Sequence, residues 1–254
     1  MSGEPRVLRS YRARMGARFK TFTASYKESD LWIGVDPPSF SSSMEDFAAT
    51  GARRLRLELE SYIAQRPEFL SSLVPISVDP GAPAIARVML EASESAGVGP
   101  MAAVAGAVAQ ALGEALRLEF GCREAIVENG GDIWLAVEDD IDVSVYAGGS
   151  PLSERVGVSV PSSLSPLGVC TSSGTIGPSL SLGKADAAMA ACRNSSLADA
   201  WATRIGNAVG SPGDIASALA LAEGNEELLS VLVVAGERMG LRGKLPLKLF
   251  DPGA

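Results

Sequence analysis

Four short segments rich in β-branched and aromatic residues follow one another between residues 125 and 160, and they constrain the fold more than any other feature. They are Ala125–Val127, Ile133–Val137, Ile141–Tyr146 and Val156–Val160. Such residues favour strands, and the glycine pair between the first two segments, Gly130-Gly131, is typical of a hairpin turn. Parallel strands need long crossover connections, which this region lacks. The sequence therefore predicts antiparallel sheet.

Helical patterns come in runs on both sides of these strands. Apolar residues at helical spacing predict helices over Ser42–Ala64, Ile85–Ala96, Met101–Phe120 and Ser195–Ala208. Further strands are predicted over two parts of Phe19–Val35 and over Ala185–Cys192, Leu228–Ala235 and Met239–Phe250. Runs of helices beside hairpin-linked strands predict an α+β fold with antiparallel sheets covered by helices. We expect an N-terminal arm over residues 1–17 and a single domain over residues 18–254.

The stretch from Gly168 to Asn207 holds the first candidate site. Asp199, Thr203 and Asn207 are spaced four apart, so they share one ridge of the predicted helix. A carboxylate and a hydroxyl one turn apart can bind the same Mg²⁺ ion, which prefers oxygen ligands. The alternative is that Ser196 and Asp199 form a capping box and only stabilise the start of the helix.

A hydroxyl-rich segment precedes that helix. Its residues are Thr171, Ser172, Ser173, Gly174 and Thr175. Hydroxyls and backbone N–H groups around a flexible glycine are suited to binding phosphate, although an ordinary Ser/Thr turn has the same composition. The hairpin glycines Gly130 and Gly131 are open to two interpretations as well. They either serve only the turn or let a flat ligand approach the backbone beside Asp132.

Composition excludes several kinds of chemistry. The chain has no histidine, so it has neither a Ser-His-Asp system nor a histidine-based zinc site. A net charge of −8 argues against general binding to nucleic acid or to an anionic membrane surface. No apolar stretch reaches the length of a membrane span, and no signal peptide is recognisable. With three separated cysteines in addition, we expect a cytoplasmic protein, and the oligomeric state stays open, a homo-oligomer included.

Three segments resemble one known family. Ala198-Asp199-Ala200-Trp201-Ala202-Thr203 is similar to the A-D-A-x-A-T signature of the ApbE-type flavin transferases. Thr171–Gly174 and Glu128–Ile133 resemble that family's T-S-G and G-G-D/N-I segments, in the same order along the chain. A closer likeness, to a small uncharacterised prokaryotic branch of ApbE-like proteins, rests on three more segments: Lys27–Leu31, Gly99–Gly106 and Gly183–Asp186.

The resemblance implies an ApbE-like variant of the T-fold and a function in flavin chemistry. Enzymes of that family bind FAD, use Mg²⁺ and attach FMN to a Ser or Thr of a target protein, and some hydrolyse FAD. By analogy, Asp199 and Thr203 would hold Mg²⁺, with Asp199 also the catalytic candidate. The cofactor-binding candidates would be Asn129, Gly130, Gly131, Asp132, Thr171, Ser172, Ser173, Gly174 and Thr175.

One departure from the family pattern concerns acid–base chemistry. The family has a histidine-containing segment before the A-D-A signature, where this chain has Pro178-Ser179-Leu180. Asp186, Asp199 and Lys184 are then the remaining acid–base candidates. Two hypotheses follow. The chain either binds FAD and cleaves it or transfers FMN with the help of Mg²⁺, or it is a non-catalytic nucleotide-binding or adaptor protein on the same scaffold.

Overall fold

The computed structural model describes residues 18–27, 29–174 and 182–251. The strands in these ranges are β1 (Lys20–Tyr26), β2 (Ser29–Val35), β3 (Ala125–Asn129), β4 (Asp132–Ala136), β5 (Ile141–Ser144), β6 (Val156–Val160), β7 (Leu167–Ser172), β8 (Ala187–Cys192), β9 (Leu228–Ala235), β10 (Arg238–Gly243) and β11 (Leu247–Leu249). The α-helices in the same ranges are α1 (Ser43–Gln65), α2 (Glu68–Ser71), α3 (Ala84–Ala96), α4 (Val104–Phe120), α5 (Ser195–Asn207) and α6 (Ile215–Ala220). The predicted arm over residues 1–17 lies outside the described residues.

The strands form two antiparallel sheets. The larger has eight strands in the order β1-β2-β3-β4-β7-β8-β9-β10, and the smaller has the order β11-β6-β5. Neighbouring strands are antiparallel throughout both sheets. The prediction of an α+β fold with antiparallel sheets covered by helices is therefore confirmed.

Alternation along the strands of the large sheet creates two separate cores. One core lies between the helices and one face of the sheet, and it includes Leu59, Leu112 and Trp134. The other lies between the opposite face and the small sheet, and it includes Leu135 and Val158. The large sheet is therefore the middle layer of three, and its helix-covered face carries the site described below.

One predicted strand is wrong. We expected a single final strand over Met239–Phe250, but the structure has β10 and β11 there, in different sheets. The chain leaves the large sheet at Gly243, whose φ is +128°. Leu245 is then buried between the two sheets. A glycine in this conformation permits a change of direction that alternation of apolar residues does not reveal.

The expectation that no segment is long enough to span a membrane is also wrong. Within the described residues, the helical segment Pro100–Phe120 has the required length and apolar composition. It is a core helix by its surroundings, because α4 packs against β3, β4 and α5. Its buried residues Leu112 and Leu116 belong to the core under the large sheet.

Pairing within the large sheet brings the family-like segments to one edge. The β1–β2 turn follows Tyr26, and Leu31 pairs with Asn129 next to the β3–β4 turn. Ser172 at the end of β7 pairs with Ala188 near the start of β8. Segments that are up to about 150 residues apart along the chain therefore meet along this edge, because antiparallel neighbours place alternate turns at the same end of a sheet.

Candidate functional site

The β3–β4 hairpin forms one side of the candidate site. Gly130 and Gly131 have φ values of +71° and +108°, and the two-residue loop they form between Asn129 and Asp132 is that of a type I′ turn. The backbone conformation alone therefore requires both glycines. Asn129 fixes the hairpin to the helical layer, since its Nδ2 donates to the Ala105 carbonyl oxygen at 3.3 Å.

Asp199 connects two helices. It lies in the second turn of α5 and is buried. Its Oδ2 accepts a hydrogen bond from the Gly106 N–H at 2.9 Å, and the carboxylate also accepts one from the Ala105 N–H. These two N–H groups lie in the first turn of α4, where no intrahelical acceptor exists. Asp199 is thus an N-terminal cap of the neighbouring helix.

The capping-box alternative for α5 itself is wrong. The cap of α5 is Asn194, whose side-chain oxygen accepts a hydrogen bond from the Leu197 N–H at 3.1 Å. The Ser196 hydroxyl donates to the same oxygen. Asp199 comes too late in the sequence to reach the first turn of its own helix, which leaves its carboxylate directed to the N-terminus of α4.

A second carboxylate, Asp132, lies close to Asp199. Its Oδ1 accepts from the Thr171 N–H at 3.2 Å, so it connects the hairpin to β7. Burial raises the pKa of Asp199 well above its usual range, and the negative charge of Asp132 raises it further. The two backbone N–H bonds act in the opposite direction. Two buried carboxylates in this arrangement are stabilised by a bound cation or by a shared proton.

Thr203 follows Asp199 by one turn and is half-buried. The sequence places both on one ridge of α5, and the third member of that ridge, Asn207, accepts a hydrogen bond from the Leu182 N–H at 2.8 Å. Ser172 faces the same helix, because its hydroxyl oxygen would lie 3.8 Å from a Cβ placed on Gly206. The last turn of α5 therefore lies against the end of β7, while Asp199 lies near the other end of the helix.

The structure gives Gly174 a packing role. A Cβ on this residue would lie 2.2 Å from the Gly183 carbonyl oxygen, so only glycine fits. Its N–H donates to the Ala185 carbonyl oxygen at 2.9 Å. Thr171, Ser172 and Ser173 are half-buried beside this contact, and Thr175 lies outside the described residues.

A fully buried thiol was missed by the sequence analysis. Cys170 lies on β7 and donates to the Ser195 carbonyl oxygen, with a sulfur–oxygen distance of 3.3 Å. Burial raises the pKa of this thiol, and the charges of Asp132 and Asp199 add to the effect. The thiol therefore stays protonated beside the two carboxylates. An isolated cysteine in an apolar strand gives no sequence signal for such a position.

The donor atoms at this site suit a hard cation. Asp132 and Asp199 supply carboxylate oxygens, and Thr203, one turn after Asp199 on α5, would add a hydroxyl. The described residues contain no group of three or more His, Cys, Asp or Glu side chains that could hold a metal ion. Such a cation would therefore need water or ligand oxygens as well, which is typical of Mg²⁺ in phosphate-binding sites.

The other acid–base candidates lie farther along the sheet edge. Asp186 accepts a hydrogen bond from the Gly236 N–H at 2.7 Å and so supports the turn between β9 and β10. Lys184 is exposed, and its N–H donates to the Val209 carbonyl oxygen at 2.6 Å. Of the two candidate carboxylates, Asp199 lies at the junction of α4, α5 and the hairpin, whereas Asp186 does not.

Comparison with protein families identifies the group to which this arrangement belongs. The family described as AbpE bacteria matches residues 12–236. The chain belongs to this family. The matched range includes β1 to β9 and all of the candidate residues.

Relatives of this family member cover most of its length. A UPF0280 protein of Methanococcus aeolicus is 47% identical over 226 residues, which are 87% of this chain and 89% of the relative. A UPF0280 protein of Methanocaldococcus jannaschii is 38% identical over 225 residues, again 87% and 89% of the two chains. Most of the length of this chain is therefore shared with these relatives.

Solved structures with similar folds include ApbE proteins. The ApbE protein of Thermotoga maritima superposes with a TM-score of 0.58 at 12% identity, covering 89% of this chain and 97% of the other. The apo flavinyl transferase ApbE of Pseudomonas stutzeri gives a TM-score of 0.56 at 13% identity, with coverages of 88% and 93%. These matches confirm the ApbE-like fold predicted from the sequence motifs.

Proposed function

We propose that this AbpE family member binds a flavin nucleotide, specifically FAD, together with Mg²⁺. The observation that carries the proposal is the buried pair of carboxylates, Asp132 and Asp199, at the N-terminus of α4. Burial raises the pKa of Asp199, with the charge of Asp132 adding to the effect, so a divalent cation between ligand and protein would relieve their repulsion. The ApbE-like fold and the A-D-A-x-A-T match support flavin as the ligand.

Different residues of the site would contact different parts of the ligand. Asp199 and Thr203 would hold the metal, and Ser172 and Ser173 would contact the phosphates. The hairpin with Asn129, Gly130, Gly131 and Asp132 would border the flavin. Bonds from the hairpin to α4 and β7 hold these groups in place before the ligand arrives, which reduces the entropy lost on binding.

The reaction that fits this arrangement is cleavage of the FAD pyrophosphate. When bound, Mg²⁺ neutralises charge that develops on the phosphoryl oxygens. Attack by water would give AMP and FMN. Attack by a Ser or Thr hydroxyl of a target protein would give AMP and FMN joined to that residue, with the hydroxyl proton released.

The absence of histidine favours a second candidate, a non-catalytic nucleotide binder or adaptor. In FAD cleavage or FMN transfer, the attacking hydroxyl must lose a proton, and this chain has no histidine to accept it. Asp199 is engaged with the α4 N-terminus, and Asp186 is engaged with the β9–β10 turn. A protein that only binds its nucleotide needs no such base.

Product analysis separates the two candidates. The full chain is incubated with FAD and Mg²⁺, and AMP and FMN are measured by chromatography, with Asp199→Asn protein treated in parallel. Release of both products by the wild type and not by the variant supports FAD cleavage. Binding of FAD without either product supports the binder. If the wild type neither binds FAD nor cleaves it, the proposed function is wrong.

A further inference from the structure

Lys184 lies on the same sheet edge as the candidate phosphate segment. The side chain is exposed, while the backbone is held on both sides. The Lys184 N–H donates to the Val209 carbonyl oxygen, just beyond the C-terminal end of α5, at 2.6 Å. The next residue, Ala185, accepts from the Gly174 N–H at 2.9 Å. Lys184 is therefore fixed between the end of β7 and the end of α5.

Three glycines fix this position closely. A Cβ on Gly174 would lie 2.2 Å from the Gly183 carbonyl oxygen, and a Cβ on Gly183 would lie 1.9 Å from the Gly206 carbonyl oxygen. The backbone at Gly183, next to Lys184, thus contacts both the backbone after β7 and the backbone of α5 directly. The Cα of Lys184 itself would lie 3.2 Å from a Cβ on Gly174. The lysine accordingly starts from a defined point beside the hydroxyl segment.

The charge of Lys184 is not neutralised by a neighbour in the described part of the chain. Lys27 and Lys248 form ion pairs with carboxylates at 2.6 and 2.7 Å, whereas no such pair within 4.0 Å involves Lys184 there. Asp132 and Asp199 make the site near the start of α5 negative, and the whole chain carries a charge of −8. A cationic side chain at this edge would therefore attract an anionic ligand that the overall negative charge disfavours.

We propose that Lys184 contacts the phosphates of the bound nucleotide and makes the site selective for phosphorylated flavins over uncharged riboflavin. The inference rests on the proposed function, and it adds a residue that lies outside the A-D-A-x-A-T signature. A flexible ammonium group on a fixed backbone can reach an anion that lies over the Ser172–Gly174 segment.

The test compares Lys184→Gln with Lys244→Gln. Lys244 is the matched control because it is also exposed and its N–H is also bonded to a backbone oxygen, at 2.7 Å to Leu229, but it lies between β10 and β11. Titration calorimetry with FAD and with riboflavin is performed on the wild type and both variants in Mg²⁺. Circular dichroism and thermal unfolding confirm that each variant is folded.

We expect Lys184→Gln to raise the Kd for FAD about tenfold, the size of one charge-assisted contact. Its Kd for riboflavin should stay at the wild-type value, and Lys244→Gln should change neither. An unchanged Kd for FAD in Lys184→Gln would overturn the role of Lys184 while leaving the proposed function intact. Equal weakening of FAD and riboflavin would show that Lys184 only supports the loop. Failure of the wild type to bind FAD would overturn both proposals.

Discussion

Replacement of Asp199 separates its structural role from its proposed metal-binding role. Alanine removes the acceptor of two N–H groups at the start of α4. Loss of a helix cap costs about 1 kcal/mol, and buried N–H groups left without a partner raise the cost to about 2 kcal/mol. Asparagine keeps one acceptor oxygen and removes the repulsion from Asp132. We therefore expect Asp199→Ala to lower the free energy of unfolding by about 2 kcal/mol and Asp199→Asn by less than about 1 kcal/mol.

The pH dependence of stability provides an independent check. Because burial and Asp132 raise the folded-state pKa of Asp199 above its unfolded value, the folded protein holds this proton more tightly. The protonated Asp199 carboxyl therefore stabilises the folded protein at low pH, and this stabilisation is lost as the pH rises through the folded-state pKa. In EDTA, wild-type stability should thus fall more steeply with rising pH than that of Asp199→Asn.

Urea unfolding of the three proteins, followed by circular dichroism at several pH values in EDTA and in Mg²⁺, measures these effects. Mg²⁺ should stabilise the wild type and leave Asp199→Asn unchanged, because a ligand that binds only the folded state shifts the equilibrium toward it. The reasoning is refuted if Asp199→Ala is as stable as the wild type. It is also refuted if the wild type and Asp199→Asn have the same pH profile in EDTA.

Three further predictions follow from other contacts. Gly106→Ala places a Cβ 2.2 Å from the Ser195 carbonyl oxygen, so urea unfolding should show a loss of about 2 kcal/mol. Gly149→Ala, with nothing within 4 Å, is the control, and equal stabilities would contradict the packing argument. Asp36→Ala should cost about 2 kcal/mol by urea unfolding, because Asp36 accepts from the backbone N–H groups of residues 123 and 124. Burial raises the pKa of Asp36, but these bonds and one from a serine lower it overall. The stability that Asp36 contributes should therefore be lost as the pH falls through its folded-state pKa. If the unfolding free energies of Asp36→Ala and the wild type fall equally with decreasing pH, this argument is contradicted. Iodoacetamide should modify the native chain slowly and the unfolded chain fast, as measured by mass spectrometry, because three cysteines are buried: Cys122, Cys170 and Cys192. Fast modification of the native chain would contradict their burial.

Much of the fold was predictable because its elements carry local signals. The Gly130-Gly131 turn and the strands on either side of it are examples, since positive φ values favour glycine strongly. The helix containing Asp199 was also predicted from its spacing. The final strand was predicted wrongly because Gly243 redirects the chain between two sheets, and a conformational change at one residue leaves no periodic trace.

The arrangement of the site was less predictable, because its contacts are not local in sequence. Asp199 has the spacing of a capping residue for its own helix, yet it caps α4, where the Gly106 N–H that donates to it lies 93 residues away along the chain. The proximity of Asp132 to Asp199 depends on sheet order, which short motifs do not encode. The contact between Gly174 and Gly183 is of the same kind, since each glycine alone resembles an ordinary loop residue.

Calorimetric titration of the full chain with FAD, in Mg²⁺ and again in EDTA, tests the central claim most directly. The account predicts binding in Mg²⁺ and a Kd at least roughly tenfold higher in EDTA. Asp199→Asn in Mg²⁺ should bind FAD with the same raised Kd as the wild type in EDTA. Equal affinity in both buffers, or wild-type affinity in Asp199→Asn, would contradict a metal held by Asp199. Absence of FAD binding in Mg²⁺ would contradict the flavin site itself.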